Sequence, residues 1–157
     1  MIKEGMTAPD FSLADQTGKK VRLSAFKGKD VVLYFYPKDD TLGCTMEACG
    51  IRDTYTEFRK LGIVVLGISP DDKTSHRKFS EKYNLPFTLL ADTDKKVSTD
   101  YEAYKQKSFL GKKYMGIERT TFLIDKKGII KKIFNKVNPR GHEKQILEFY
   151  QKGKPSK

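Results

Sequence analysis

The chain has 157 residues, a length for which one domain able to bury its own core is the expectation. Hydrophobic residues at 38% and charged residues at 32%, with 12 Gly and 6 Pro dispersed along the chain, exclude collagen-like, disulfide-scaffold and wholly disordered proteins. Of the formal charge of +11, +10 resides in residues 101–157, which hold 15 Lys/Arg against 5 Asp/Glu, while residues 1–100 are nearly balanced.

In chain order, Phe11–Asp15 and Val21–Ser24 alternate apolar and polar around Gln16-Thr17-Gly18, which predicts a hairpin. Val31–Tyr36 is a continuous β-branched and aromatic run, the pattern of a strand buried on both faces, and Pro37 ends it. Ala48, Ile51, Tyr55 and Phe58 share one helical face, with a stop signal at Arg59, Lys60 and Gly62. Ile63–Ile68 reads as a second buried strand, and Ser69-Pro70-Asp71-Asp72 opens a helix carrying Phe79 and Tyr83 up to Asn84 and Pro86. Phe87–Leu90 predicts a short strand and Lys95–Tyr101 a short helix. Residues 103–116 show no clear period and read as an exposed loop, in which Phe109, Tyr114 and Met115 pack down or present an apolar docking surface. Thr120–Ile124 and Ile129–Phe134 form a second hairpin around Asp125-Lys126-Lys127-Gly128, and a last helix runs from about Gly141 to Gln151.

Two buried strands separated by a helix imply parallel pairing through a right-handed crossover. The late hairpin adds antiparallel strands, giving an α/β domain over 1–157 with a mixed central sheet flanked by helices, an N-terminal hairpin and a polar tail at 152–157. The longest apolar runs are far too short to span a bilayer, and no basic-then-apolar leader precedes Pro9, so a cytoplasmic protein without membrane association is expected. The basic C-terminal part reads as a solvated lysine-rich face. Nucleic-acid binding is a second reading that no recognition motif supports, and none is expected.

The two cysteines, Cys44 and Cys49, lie five positions apart. In a reducing compartment such a pair is catalytic, metal-binding or simply buried. Cys44 falls just past the carboxyl end of the first buried strand, at a helix start, where open α/β sheets bind ligands. Unpaired N–H groups and the positive dipole end there favour a thiolate. Gly43 permits close backbone approach, and Thr41 sits where its hydroxyl can donate to the sulfur.

Pro37-xxx-Thr41-xx-Cys44 resembles the active-site motif of the peroxiredoxins, and the second cysteine in Cys44-Thr-Met-Glu-Ala-Cys49 is similar to the bacterioferritin comigratory protein (peroxiredoxin Q) branch. The likeness extends to Ala8–Leu13, Ile51-Arg52-Asp53, Gly67–Asp71 and Arg119–Asp125, in that order. It implies a thioredoxin-like fold and a thiol peroxidase acting on hydrogen peroxide and organic hydroperoxides. It also implies no cofactor, thioredoxin as reductant, and a monomer. By the same resemblance Cys44 is the peroxidatic and Cys49 the resolving cysteine. Thr41 hydrogen-bonds sulfur and peroxide, Pro37 shields the intermediate, Arg119 is the active-site arginine, and Gly43 and Glu47 support. Two features depart from the branch. Leu42 stands where many members have Pro, and no Trp is present near Ala103–Tyr104.

The chemistry sets its own demands. A cysteine with pKa ≈ 8.5 is only about 3% thiolate at pH 7, and lowering its pKa to around 6 raises the rate about 30-fold. Rate enhancements of a million-fold therefore need orientation and donors aimed at the leaving oxygen. Arg119, Thr41 and the Gly43–Cys44 amides are the candidates. Residues five apart on a helix have Cα atoms about 8.6 Å apart, beyond the roughly 4.4–6.8 Å of a disulfide. Bonding Cys44 to Cys49 therefore requires unwinding between Gly43 and about Gly50, where glycine lowers the cost. Two rivals remain at this point. A metal module of Cys44, Cys49, His76 and His142 lacks the usual histidine spacing, and solvent-exposed histidines are the preferred reading. A disulfide reductase would want Cys-x-x-Cys, which is absent.

Overall fold

The computed structural model describes residues 1–152. Ser12–Asp15 (β1) and Lys20–Arg22 (β2) form the expected N-terminal hairpin, followed by a 3₁₀ turn at Leu23–Phe26. Asp30–Phe35 (β3) leads to helices Leu42–Asp53 (α1) and Tyr55–Lys60 (α2), then Ile63–Ser69 (β4) and Lys73–Tyr83 (α3). Thr88–Ala91 (β5) and Lys96–Asp100 (α4) follow. Tyr104–Phe109 (β6), Lys112–Ile117 (β7), Thr120–Ile124 (β8), Ile130–Phe134 (β9) and His142–Lys152 (α5) complete the order.

Seven strands make one mixed sheet in the order β2-β1-β5-β4-β3-β8-β9. β3, β4 and β5 run parallel, as the crossover helices require, and β8 pairs antiparallel with β3. Alternation along β3 explains its unbroken apolar run. Val31, Leu33 and Phe35 enter one core with Phe11, Val97, Tyr101 and Phe122, while Val32, Tyr34 and Tyr36 enter the other with Ala48, Ile51, Phe58, Phe79 and Ile146. Both faces are covered, so the carboxyl end of β3 is where the sheet opens onto a functional surface.

Two expectations are corrected. The helix expected through Phe58 is two, broken at Thr54, whose hydroxyl donates to the Gly50 carbonyl at 2.9 Å. A threonine that back-bonds the preceding turn weakens helix continuity. Residues 103–116 are no loop but the β6–β7 hairpin. Leu110 and Gly111 both have positive φ (51° and 78°), matching a two-residue turn with inverted twist. The strands lack a visible period because most of both faces is hydrophilic or exposed, with only Ile117 buried at the base. Phe109 and Met115 are 66% and 53% exposed, so the packed-down reading fails. The tail at 152–157 lies outside the described residues except for Lys152, the last residue of α5.

Candidate active site

The chain leaves β3 at Tyr36 and passes through Pro37, half-buried, into a tight loop. Asp40 takes a left-handed conformation (φ 58°), and the Thr41 hydroxyl donates to the Lys38 carbonyl at 2.9 Å. Thr41 is the N-cap of α1, and its carbonyl accepts from Thr45 N at 2.8 Å, the first helical bond. Leu42, Gly43 and Cys44 therefore sit in the first turn, where amides have no intrahelical acceptor and the dipole is positive. Cys44 is almost completely buried, at 2% exposure, in the same core as Tyr34, Tyr36 and Ala48.

Arg119 reaches this turn from the residue before β8. Its backbone is held where Val137 N donates to its carbonyl at 2.9 Å. One guanidinium nitrogen, Nη1, donates both to Cys44 Sγ at 3.3 Å and to Glu47 Oε1 at 2.9 Å. Gly43 eases this approach, since a Cβ there would lie 3.0 Å from Arg119 Nη2 and displace the guanidinium by a few tenths of an ångström. Glu47 is buried, and Oε2 has no hydrogen-bond partner among the described residues. Burial pushes its carboxyl up to about 7 against the pull of Arg119. Burial would likewise lower the Arg119 pKa, but Glu47 and Cys44 hold it above its usual value, so the cation is secure.

Cys49 lies in the same regular helix, half-buried, and both thiols are free. Burial pushes the Cys49 thiol up. Beside it, a Cβ on Gly50 would meet only the far end of the Glu143 side chain of α5, its carboxylate at 2.9 Å.

The loop after β3, the start of α1 and the arginine thus converge on one sulfur. A family model described as the AhpC/TSA family matches residues 5–133. The chain is 51% identical over 146 residues to the putative peroxiredoxin bcp of Coxiella burnetii, covering 93% of this chain and 97% of that protein. It is 49% identical over 147 residues to peroxiredoxin Bcp of Bacillus subtilis, covering 94% of each. This chain belongs to the AhpC/TSA family, in its peroxiredoxin Bcp branch. Among solved structures, the peroxiredoxin is similar to the Xanthomonas campestris bacterioferritin comigratory protein, with a TM-score of 0.89 at 34% identity over 97% of both chains. Peroxidoxin BcpB of Mycobacterium tuberculosis gives 0.87 at 34% identity over 99% of this chain and all of that one. The fold is thioredoxin-like, and the peroxiredoxin is a thiol peroxidase.

The structure brings Cys44, Arg119, Glu47 and Gly43 of this peroxiredoxin together. It places Thr41 one turn away, with its hydroxyl on Lys38 rather than on the sulfur, because closing the Lys38–Thr41 turn offers the nearer acceptor. Leu42 is 84% exposed and packs against nothing that proline would disturb. The set Cys44, Cys49, His76 and His142 is not assembled, and the expectation of exposed histidines is corrected, since both are fully buried. His142 Nε2 meets Thr121 Oγ1 at 2.8 Å, and His76 pairs with Asp39. On the sequence alone His76 is weighed only as a metal ligand and Asp39 is given no role, although His76 lies three residues before Phe79 and seven before Tyr83, on the apolar stripe of α3.

Proposed function

We propose that this peroxiredoxin reduces hydrogen peroxide and organic hydroperoxides at Cys44. The observation that carries the reading is the single Arg119 nitrogen shared between Cys44 Sγ and the buried Glu47. An arginine fixed by an internal carboxylate and aimed at a buried sulfur is a preorganised donor. The thiolate attacks one peroxide oxygen, the O–O bond breaks, and the second oxygen leaves as alkoxide or hydroxide and takes up a proton. Arg119 and the free amides of the first helical turn stabilise the charge moving between the oxygens, Thr41 orients the peroxide, and Pro37 limits water. The sulfenic acid on Cys44 then condenses with the Cys49 thiol, releasing water and forming the disulfide.

With both cysteines in an intact helix, this second step requires α1 to unwind between Gly43 and Gly50. A dithiol protein, thioredoxin by family likeness, exchanges with the disulfide and restores both thiols. The relative from Xanthomonas campestris is described with alkyl peroxide reduction activity, which favours organic hydroperoxides among the substrates here. We read the protein as a cytoplasmic monomer needing no cofactor and binding no nucleic acid. Among the described residues no helix is long and apolar enough to cross a membrane.

Peroxide consumption with a thioredoxin system tests the scheme in three proteins. Wild type turns over, Cys44→Ser is inactive, and Cys49→Ser completes one turnover and accumulates a trappable sulfenic acid. Equal activity in all three removes the mechanism.

A further inference from the structure

The loop that presents Thr41 and Cys44 is fastened from below by a buried polar cluster that the peroxidase chemistry does not use. Asp39 lies at its centre, with its side chain 4% exposed. Its Oδ1 accepts from the Tyr36 hydroxyl at 2.6 Å, and its Oδ2 faces the Ser75 hydroxyl at 2.8 Å and His76 Nδ1 at 2.7 Å. Its backbone N–H donates to Asp71 Oδ2 at 2.8 Å, and Ser69 Oγ donates to the same oxygen at 2.6 Å. The other ring nitrogen of His76, Nε2, is 2.9 Å from the Leu90 carbonyl. His76 is completely buried.

Every member of the cluster has a partner. Both ring nitrogens of His76 face oxygens: Nδ1 meets Asp39 Oδ2 and, at 3.4 Å, the Tyr36 hydroxyl, while Nε2 meets the Leu90 carbonyl. Both carboxyl oxygens of Asp39 are engaged, one by Tyr36 and the other by Ser75 and His76. Tyr36 stays a donor, because burial holds its phenol well above the usual value. A buried polar network with all its members satisfied holds one geometry. Those bonds already account for Asp39, Asp71 and His76, whose ligand atoms lie close enough together for an ion.

We propose that His76 is a positioning residue for peroxide attack, acting through Asp39 to hold the Pro37–Thr41 segment at a fixed height over Cys44. The next residue supports the same task from outside, with Asp40 Oδ2 accepting from Lys82 at 2.7 Å and Oδ1 from the Tyr83 hydroxyl at 2.8 Å. His76, Lys82 and Tyr83 all belong to α3, so one helix grips two consecutive loop residues. α3 contains neither cysteine. The loop keeps this anchor while α1 unwinds, and Thr41 returns to the same place when α1 rewinds. This inference rests on Cys44 being the sulfur that attacks peroxide.

The test compares two reactions of the same thiol in full-length protein. Hydrogen peroxide needs the aligned loop, whereas iodoacetamide needs only access to the sulfur. In His76→Phe and in Asp39→Ala, peroxide attack on Cys44 falls ten- to a hundredfold while alkylation changes less than threefold. Asp39→Asn is the conservative rescue. Its amide donates to Nδ1 of a neutral imidazole whose Nε2–H still serves Leu90, and most of the peroxide rate returns. Folded His76→Phe or Asp39→Ala protein with the wild-type peroxide rate overturns the proposal. So does an equal loss in both reactions, which marks a general collapse of the fold. If His76→Phe does not fold, Asp39→Ala and Asp39→Asn decide by the same ratio. Wild-type protein indifferent to peroxide would instead refute the assignment of Cys44 itself.

Discussion

Glu47 gives the unwinding of α1 a pH dependence that can be worked out from its burial. In the wound helix its carboxyl titrates at about 7, against an ordinary 4.5 when the helix opens and the group meets water. Below pH 4.5 both states hold the proton, and the wound helix keeps its full advantage. Between 4.5 and 7 the wound state retains a proton that the open state has lost, so each rise in pH favours opening. Above about 7 both are ionised and the effect levels off. The whole span is about 3 kcal/mol, or roughly three hundredfold in the open population. The assay is rapid mixing of reduced protein with peroxide, quenching, and counting sulfenic acid and disulfide by mass spectrometry. Disulfide formation accelerates tenfold or more from pH 5 to 7. Glu47→Gln keeps the acceptor for Arg119 but carries no proton to lose, so it stays slow and lacks that portion of the rise. Ionisation of the Cys49 thiol also speeds the step, but burial pushes that thiol upward, so its contribution continues at alkaline pH in both proteins. Superimposable profiles between pH 5 and 7 would refute the coupling.

Arg119→Ala slows peroxide attack by about 10²-fold or more, the usual effect of removing one oriented donor, read by stopped-flow consumption of the Cys44 thiol. The same change leaves Glu47 buried without its cation, so thermal stability drops by several degrees more at pH 8 than at pH 5. Gly43→Ala pushes the guanidinium by a few tenths of an ångström, since its Cβ would sit 3.0 Å from Nη2, and peroxide attack slows while the fold holds. Gly50→Ala displaces only the end of the Glu143 side chain, so the gain in helix propensity of up to ~1 kcal/mol dominates. Disulfide formation then slows about fivefold, and unchanged resolution kinetics would count against unwinding through Gly50.

The sheet was legible because its central strands are buried on both faces, and Val31–Tyr36 and Ile63–Ile68 have no other plausible place in a domain of this size. The sulfur and its helix start were legible from spacing alone. Arg119 was named by likeness, since nothing local in Glu118-Arg119-Thr120 says that the side chain reaches 75 residues back to Cys44. The β6–β7 hairpin was illegible for a physical reason. A two-stranded arm that buries little writes no hydrophobic period, and Leu-Gly is not the usual pair for its turn. Polarity hid the role of Asp39 and outweighed the place of His76 on the apolar stripe of α3. Composition marks such residues as surface, and only the tertiary fold supplies partners that make burying them tolerable.

The central claim is that Cys44 is a sulfur prepared for peroxide by Arg119 and the first turn of α1. Its most direct test is the second-order rate constant for loss of the Cys44 thiol on mixing reduced Cys49→Ser protein with hydrogen peroxide. That variant leaves no second thiol to confuse the signal. The account predicts a rate at least about 10⁴-fold above that of free cysteine under the same conditions, within the range of enzymatic acceleration. A rate within tenfold of free cysteine would contradict it.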